Sequence, residues 1–285
     1  MACSVAYEQV KEIDINNPKT FHEHLFYNYQ QNASYEAEEM HDWNSAKLYS
    51  KKALKAFEGQ NVYPEKINYW KISDPKTREI KLGYNNLLSI YEDALNIDPK
   101  NLAKAISALD CWAEQEEEKW QKWDIKKCKN NFHLAMHNIY NLLSTKKFED
   151  KIKNKKLLEK ETTKNNLTIV TENHKKEIMQ MIYFDFDDFT LSEVSKNTLE
   201  NFLNKNMKNL SRYIIIGHAD TKGDNNYNFK LSLKRAEVVK EFLLNIGIAK
   251  KNISILGKGE NNLAVHTPDN TKHPANRRAE VKILN

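Results

Sequence analysis

Asp220 and Arg235 are the residues of this 285-residue chain whose types and spacing point most directly to chemistry. Asp220 stands just past a β-branched run, Tyr213-Ile214-Ile215-Ile216, and Arg235 lies about two turns into a segment of helical spacing that starts near Tyr227. A strand end followed by a helix brings a carboxylate and a guanidinium to one mouth without forcing them to pair. A zwitterion with its ammonium and carboxylate one amino-acid backbone apart satisfies both groups. The plainer alternative is an ion pair within the domain, worth little at a surface.

The elements that must hold these two residues follow from pattern. Tyr213–Ile216 suits a strand buried on both faces, and Gly217 and Gly223 supply the turn after it. Val238, Val239, Phe242 and Leu243 recur at helical spacing, with Glu237, Lys240 and Glu241 outward. Met181 to Asp187 alternates as a strand, and a helix from Leu191 carries Val194, Leu199, Phe202 and Leu203. With strands at Ile253–Leu256 and Ala279–Leu284, the order is β-α-β-α-β-β. That order predicts an α+β domain over 177–285, a mixed sheet with helices on one side.

The same residues resemble the signature of the OmpA-like C-terminal domain, a peptidoglycan-binding module. The resemblance rests on Gly217-His218-Ala219-Asp220, Gly223, Tyr227-Asn228, Leu231-Ser232 and Arg235-Ala236. It is extended by Gly257-Lys258-Gly259-Glu260 and by Asn276-Arg277-Arg278-Ala279-Glu280-Val281. It implies a noncatalytic grip on the D-centre of diaminopimelate in the peptidoglycan stem peptide, with Asp220 taking the ammonium and Arg235 the carboxylate. Asn228, at the helix start, is a cap, a ligand donor or both. Leu231 lines the pocket or belongs to the core. Asp187 closes the pocket rim or is a solvated turn residue. Alternation lets only one of Arg277 and Arg278 face the ligand. The family's usual Thr before the motif Asp is Ala219 here, which removes a hydroxyl that would touch ligand.

Upstream the chain changes character. Residues 1–16 read as a tether of weak pattern, 17–145 as an all-α domain, and 146–176 as a charged linker or helix. In the α domain, Phe21, Leu25 and Tyr29 open a first helix, Asp42 caps a second that Gly59 ends, and Leu87, Tyr91 and Ala94 lie on a third. Asn101 caps a fourth running to Trp120, and Phe132, Met136, Ile139 and Leu143 mark a fifth. Tyr91, Ala94 and Pro99 stand at the spacing of a tetratricopeptide repeat's second half, so the domain is TPR-like. The stretch from Trp112 to Trp123 resembles the helical region of some alphaproteobacterial OmpA-family lipoproteins. Ala2-Cys3-Ser4 resembles a lipoprotein cleavage site, which makes Cys3 the expected lipid carrier. Cys111 and Cys128 are expected as a disulfide, permitted in the periplasm.

Composition narrows the rest. Forty per cent hydrophobic and 29% charged residues describe a chain that folds rather than a disordered one. The formal charge of +5 is spread along the sequence, with no concentrated basic face to take nucleic acid. His22 and His24 point apart on a helix, and Asp185, Asp187 and Asp188 alternate between faces. His218, His266 and His273 lack the carboxylates or cysteines of a metal site, and no nucleophile elbow or phosphate loop occurs. No enzyme, cofactor or metal is expected. With the resemblance, the chain is expected in the periplasm at the outer membrane, tethering that membrane to the cell wall through Cys3 and Asp220/Arg235. The alternative is a scaffold whose helical domain docks a protein partner and whose C-terminal domain only localises it.

Overall fold

The computed structural model describes residues 5–74, 76–119, 121–162, 178–206 and 211–284. Cys3 lies outside them. The chain divides into two units, Met1–Ile139 and Tyr140–Asn285.

The first unit is helical: α1 (Val5–Glu12), α2 (Phe21–Ser34), α3 (Trp43–Phe57), α4 (Lys76–Ser89), α5 (Tyr91–Ile97), α6 (Pro99–Glu118) and the start of α7 (Lys122–Thr162). Thr20 and Glu23 close a capping box on α2, and Asp42 caps α3 through the N–H groups of Asn44 and Ser45. Its core gathers Leu25, Phe26, Tyr29, Tyr49, Ile106 and Trp112, all fully buried. Three readings need correction. The expected tether contains helix α1, because Tyr7 and Val10, three residues apart, bury against α2 and α3. Asp98, not Asn101, caps α6, with Pro99 at the first helical position where its missing N–H costs nothing. The third helix breaks at Ile90 into α4 and α5. Antiparallel packing is present in α2 on α3, but nothing in the arrangement establishes a tetratricopeptide repeat. Cys111 and Cys128 are disulfide-bonded, with Cα atoms 5.7 Å apart. The backbone of α7 continues to Thr162, so the first part of 146–176 is helical, and 163–177 lies outside the described residues.

The second unit has the expected β-α-β-α-β-β order. It comprises β1 (Ile178–Tyr183), α8 (Glu193–Asn206), β2 (Arg212–Gly217), α9 (Asn225–Asn245), β3 (Ile253–Gly257) and β4 (Arg278–Leu284). The sheet order is β1-β4-β2-β3, with β2 and β3 parallel and both β4 pairings antiparallel. One sheet face, through Ile182, Tyr213, Ile215, Ala279, Val281 and Ile283, packs on Leu199, Phe202 and Leu203 of α8 and Ala236, Val239 and Leu243 of α9. Each such large side chain contributes about 1.5–3 kcal/mol of transfer free energy. β1 starts and ends earlier than its alternation predicts, and beyond it the chain turns at Asp187, which takes a left-handed conformation (φ 57°).

Candidate functional site

Asp220 reaches the site because β2 ends at Gly217, where strand and helix nearly touch. A Cβ on Gly217 would stand 1.8 Å from the main-chain oxygen of Ser232, so only glycine permits this approach. His218 N–H then donates to the Arg278 carbonyl (2.8 Å) and Ala219 N–H to the Gly259 carbonyl (2.8 Å), which fixes the turn from both sides. Asp220 is 3% exposed. Its Oδ2 accepts from Arg277 Nη1 at 3.0 Å and from His273 N–H at 3.2 Å. Arg277 Nε donates onward to the Phe184 carbonyl (3.2 Å).

Arg235 comes from α9, whose first turn is capped by Asp224 through the N–H groups of Asn226 and Tyr227. Its guanidinium is fully buried and spreads over three main-chain carbonyls: Nε to Asp188 (2.9 Å), Nη1 to His218 (2.9 Å) and Nη2 to Asp185 (3.1 Å). It also lies over the Phe184 ring, 5.4 Å from the centroid. Burial first, then repulsion from Arg277, pushes Arg235 down to about 9, against the pull of Asp220, Asp188 and Asp187. Asp220 and Arg235 thus converge on one charged centre together with Arg277, and both are shut off from solvent rather than open at a mouth.

The remaining expected residues divide. Arg277 is the one of the two tail arginines that meets Asp220. Arg278 lies on the opposite sheet face, where Nη2 donates to Glu280 Oε1 (2.6 Å) and the Asn262 carbonyl (3.2 Å). Asn228 is not a cap, since Asp224 already starts the helix one turn earlier. Its buried amide donates to Glu260 Oε2 at 2.5 Å. Leu231 is buried and Ala219 almost wholly so. Asp187 is exposed and accepts from the Tyr227 hydroxyl.

Several residues escaped sequence reasoning. Thr221 Oγ1 donates to the Pro268 carbonyl (2.7 Å) and accepts from Thr271 N–H (3.1 Å), which holds the loop that brings His273 to Asp220. Ser232 Oγ accepts from Gly259 N–H (2.8 Å) and bonds the Phe229 carbonyl (2.7 Å). Thr221 follows Asp220 directly, and that adjacency was the available signal. The main-chain carbonyls around Arg235 leave none. No trio of metal-ligating side chains gathers around Asp220 among the described residues.

Comparisons with known proteins agree on the C-terminal part. The OmpA family profile matches residues 183–277. A peptidoglycan-associated lipoprotein of Legionella pneumophila is 32% identical over 104 residues, covering 35% of this chain and 58% of the relative. Outer membrane protein A of Bordetella avium is 33% identical over 103 residues, covering 36% of this chain and 53% of the relative. Among solved structures, the peptidoglycan-associated lipoprotein from Burkholderia pseudomallei is 25% identical (TM-score 0.34), covering 37% of this chain and 90% of that one. The OmpA-like domain of FopA1 from Francisella tularensis is 26% identical (TM-score 0.32), covering 36% and 70%. The chain spans little more than half the length of these two curated relatives. With the Gly217–Asp220 turn, the α9 arginine and the Asn276–Val281 segment leading into β4 in their motif positions, residues 183–277 form a domain of the OmpA family.

Proposed function

We propose that the C-terminal domain binds peptidoglycan without catalysis, by clasping the D-centre of diaminopimelate in the stem peptide. Asp220 accepts from the ammonium, its two internal bonds both falling on Oδ2 and leaving Oδ1 for the ligand. Arg235 takes the carboxylate in exchange for the carbonyls of Asp185 and Asp188. Both lie on the turn that carries left-handed Asp187, so this turn must shift for ligand to enter. Arg277 steadies Asp220, and Asn228 and Leu231 shape the wall beside it. The observation that carries the reading is that Arg235, buried in the same centre as Asp220, spends its donors on neutral main-chain carbonyls, which an incoming carboxylate would replace with a stronger acceptor. Each charge-assisted bond contributes about 1.5–3 kcal/mol. The names of the relatives support a cell-wall role and an outer-membrane location. A lipid on Cys3 would complete a tether between the outer membrane and the wall.

Co-sedimentation with purified sacculi tests the reading. The wild-type chain pellets, and Asp220→Asn and Arg235→Lys stay in the supernatant while keeping a cooperative thermal transition. Folded variants that still pellet would overturn it. A second reading, a docking scaffold, draws on exposed Trp43, Phe57, Tyr63 and Tyr69 of the helical unit. It predicts that the chain captures a protein partner even when Asp220 is replaced.

A further inference from the structure

The helical unit buries a group of acids that wall binding does not use. Glu36 stands in the π-helical turn Tyr35–Glu39 that follows α2, Asp42 caps α3, and Glu114 lies on α6. One carboxylate oxygen from each falls within 4.8 Å of the others. Glu36 and Glu114 are each 2% exposed, and Asp42 is half-buried. The Asp42 N–H donates to the Glu36 carbonyl at 2.8 Å, so the π turn, a local irregularity common at functional sites, sets these two together.

One turn earlier on α6, Asp110 shows how this fold treats a buried carboxylate. It receives Lys52 Nζ at 2.5 Å, the Tyr29 hydroxyl at 2.6 Å and Glu65 N–H at 2.6 Å. Glu114 and Glu36 have no basic partner of this kind, and what favours ionised Glu114 is only the neutral side chains of Ser45 and Gln115. The Gln115 amide serves both, at 2.8 Å to Glu114 Oε2 and 3.3 Å to Glu36 Oε1. Glu114 Oε1 and Glu36 Oε2 are buried with no hydrogen-bond partner. So is the hydroxyl of Tyr49, a fully buried side chain on which Glu114 acts more strongly than any other charge. Glu118, one turn further along α6, adds to the repulsion on both. Orphaned carboxyl oxygens from separate elements, gathered at one point, are what a bound cation would satisfy.

We propose that Glu36, Asp42 and Glu114 hold a hard divalent cation (Ca²⁺, Mg²⁺ or Mn²⁺) that ties the α2–α3 elbow to α6. The donors are all oxygen, with no imidazole or thiolate, which disfavours Zn²⁺ and Cu²⁺. Asp42 caps α3 with Oδ1, which leaves Oδ2 as its candidate ligand atom. The competing arrangement is neutralisation of the same cluster by protons.

The test uses the full chain, stripped with EDTA and titrated with CaCl₂, MgCl₂ or MnCl₂ near neutral pH, with calorimetric binding and thermal melting as readouts. One cation binds with stoichiometry near one. At about 100 times Kd it raises the melting temperature of the helical unit by about 5 °C or more. Glu114→Gln, which keeps the shape of the side chain, abolishes both effects. In EDTA it melts no lower than the wild type, since a buried charge has gone. Asp42→Asn, at the solvent side of the cluster, loses the same response if Glu114→Gln does not fold. Absence of binding and of any melting shift up to about 10 mM of all three cations would assign the cluster to protons and overturn the proposal.

Discussion

Replacing Gly217 by alanine tests how the fold builds its site. The new methyl carbon would lie 1.8 Å from the Ser232 carbonyl oxygen and 2.8 Å from its carbon, against an ordinary carbon–oxygen contact of about 3.3 Å. Both partners are main chain, so no rotamer relieves the clash, and α9 must retreat from β2 by about 1.5 Å. Overpacking of this kind costs about 1–3 kcal/mol, and a backbone-to-backbone collision belongs at the upper end. That corresponds to a fall of about 10 °C in the melting temperature of the C-terminal unit. Arg235 sits one turn beyond Ser232 and is drawn away from the carbonyls of Asp185, Asp188 and His218, so sacculus binding falls as well. Ser232→Gly does not rescue the variant, because the colliding atom is not in the side chain. Gly223→Ala is the control. There the added carbon meets nothing nearer than 3.8 Å, and only the strain of φ +111° remains, about 1–2 kcal/mol. Differential scanning calorimetry with sacculus co-sedimentation reads both quantities. A Gly217→Ala protein melting within about 2 °C of wild type with undiminished binding would refute the reasoning.

Three further outcomes follow from the geometry. Arg277→Ala weakens sacculus binding whereas Arg278→Ala leaves it near wild type, because only Arg277 reaches Asp220; equal losses in the two variants would contradict this. Lys52→Met strands the buried Asp110 carboxylate and destabilises the helical unit by about 3–5 kcal/mol, and adding Asp110→Leu restores most of the loss in urea titrations. Burial would raise Glu280, but His218 at 3.3 Å and Arg278 at 2.6 Å outweigh it and hold the carboxyl down at about 2, below its ordinary 4.5. The unfolded chain therefore binds the extra proton first. The stabilisation, about 3 kcal/mol, is fully present above the ordinary value and is lost as pH falls through about 2, and melting in Glu280→Gln should lack that part of the acid slope.

The domain that holds the site was largely legible because its signals are local. β-branched strands, a glycine turn and a helical stripe each announce themselves within a few residues, and their order prescribes the sheet. The placement of Asp220 just past β2 and of Arg235 within α9 was legible for the same reason. What surrounds Arg235 was not, since main-chain carbonyls of Asp185, Asp188 and His218 carry no side-chain signature. Nor was the sealing of the site, which depends on the His273 loop and the Asp187 turn closing from distant sequence. Alternation reduced Arg277 and Arg278 to one choice but could not make it, because the answer rests on where Asp220 ends up. In the helical unit the π turn went unseen, as a single extra residue leaves the apolar spacing nearly intact. Helix α1 was missed because two buried residues, Tyr7 and Val10, are too few to show a period.

The most direct test of the central claim is calorimetric titration of the intact chain with two stem peptides. One carries diaminopimelate with its D-centre free, and the other has that amine acetylated and that carboxylate amidated. The account predicts saturable binding of the first and a loss of at least about 100-fold in affinity for the second, as two charge-assisted contacts disappear. Equal affinity for the two peptides would show that Asp220 and Arg235 do not clasp the zwitterion.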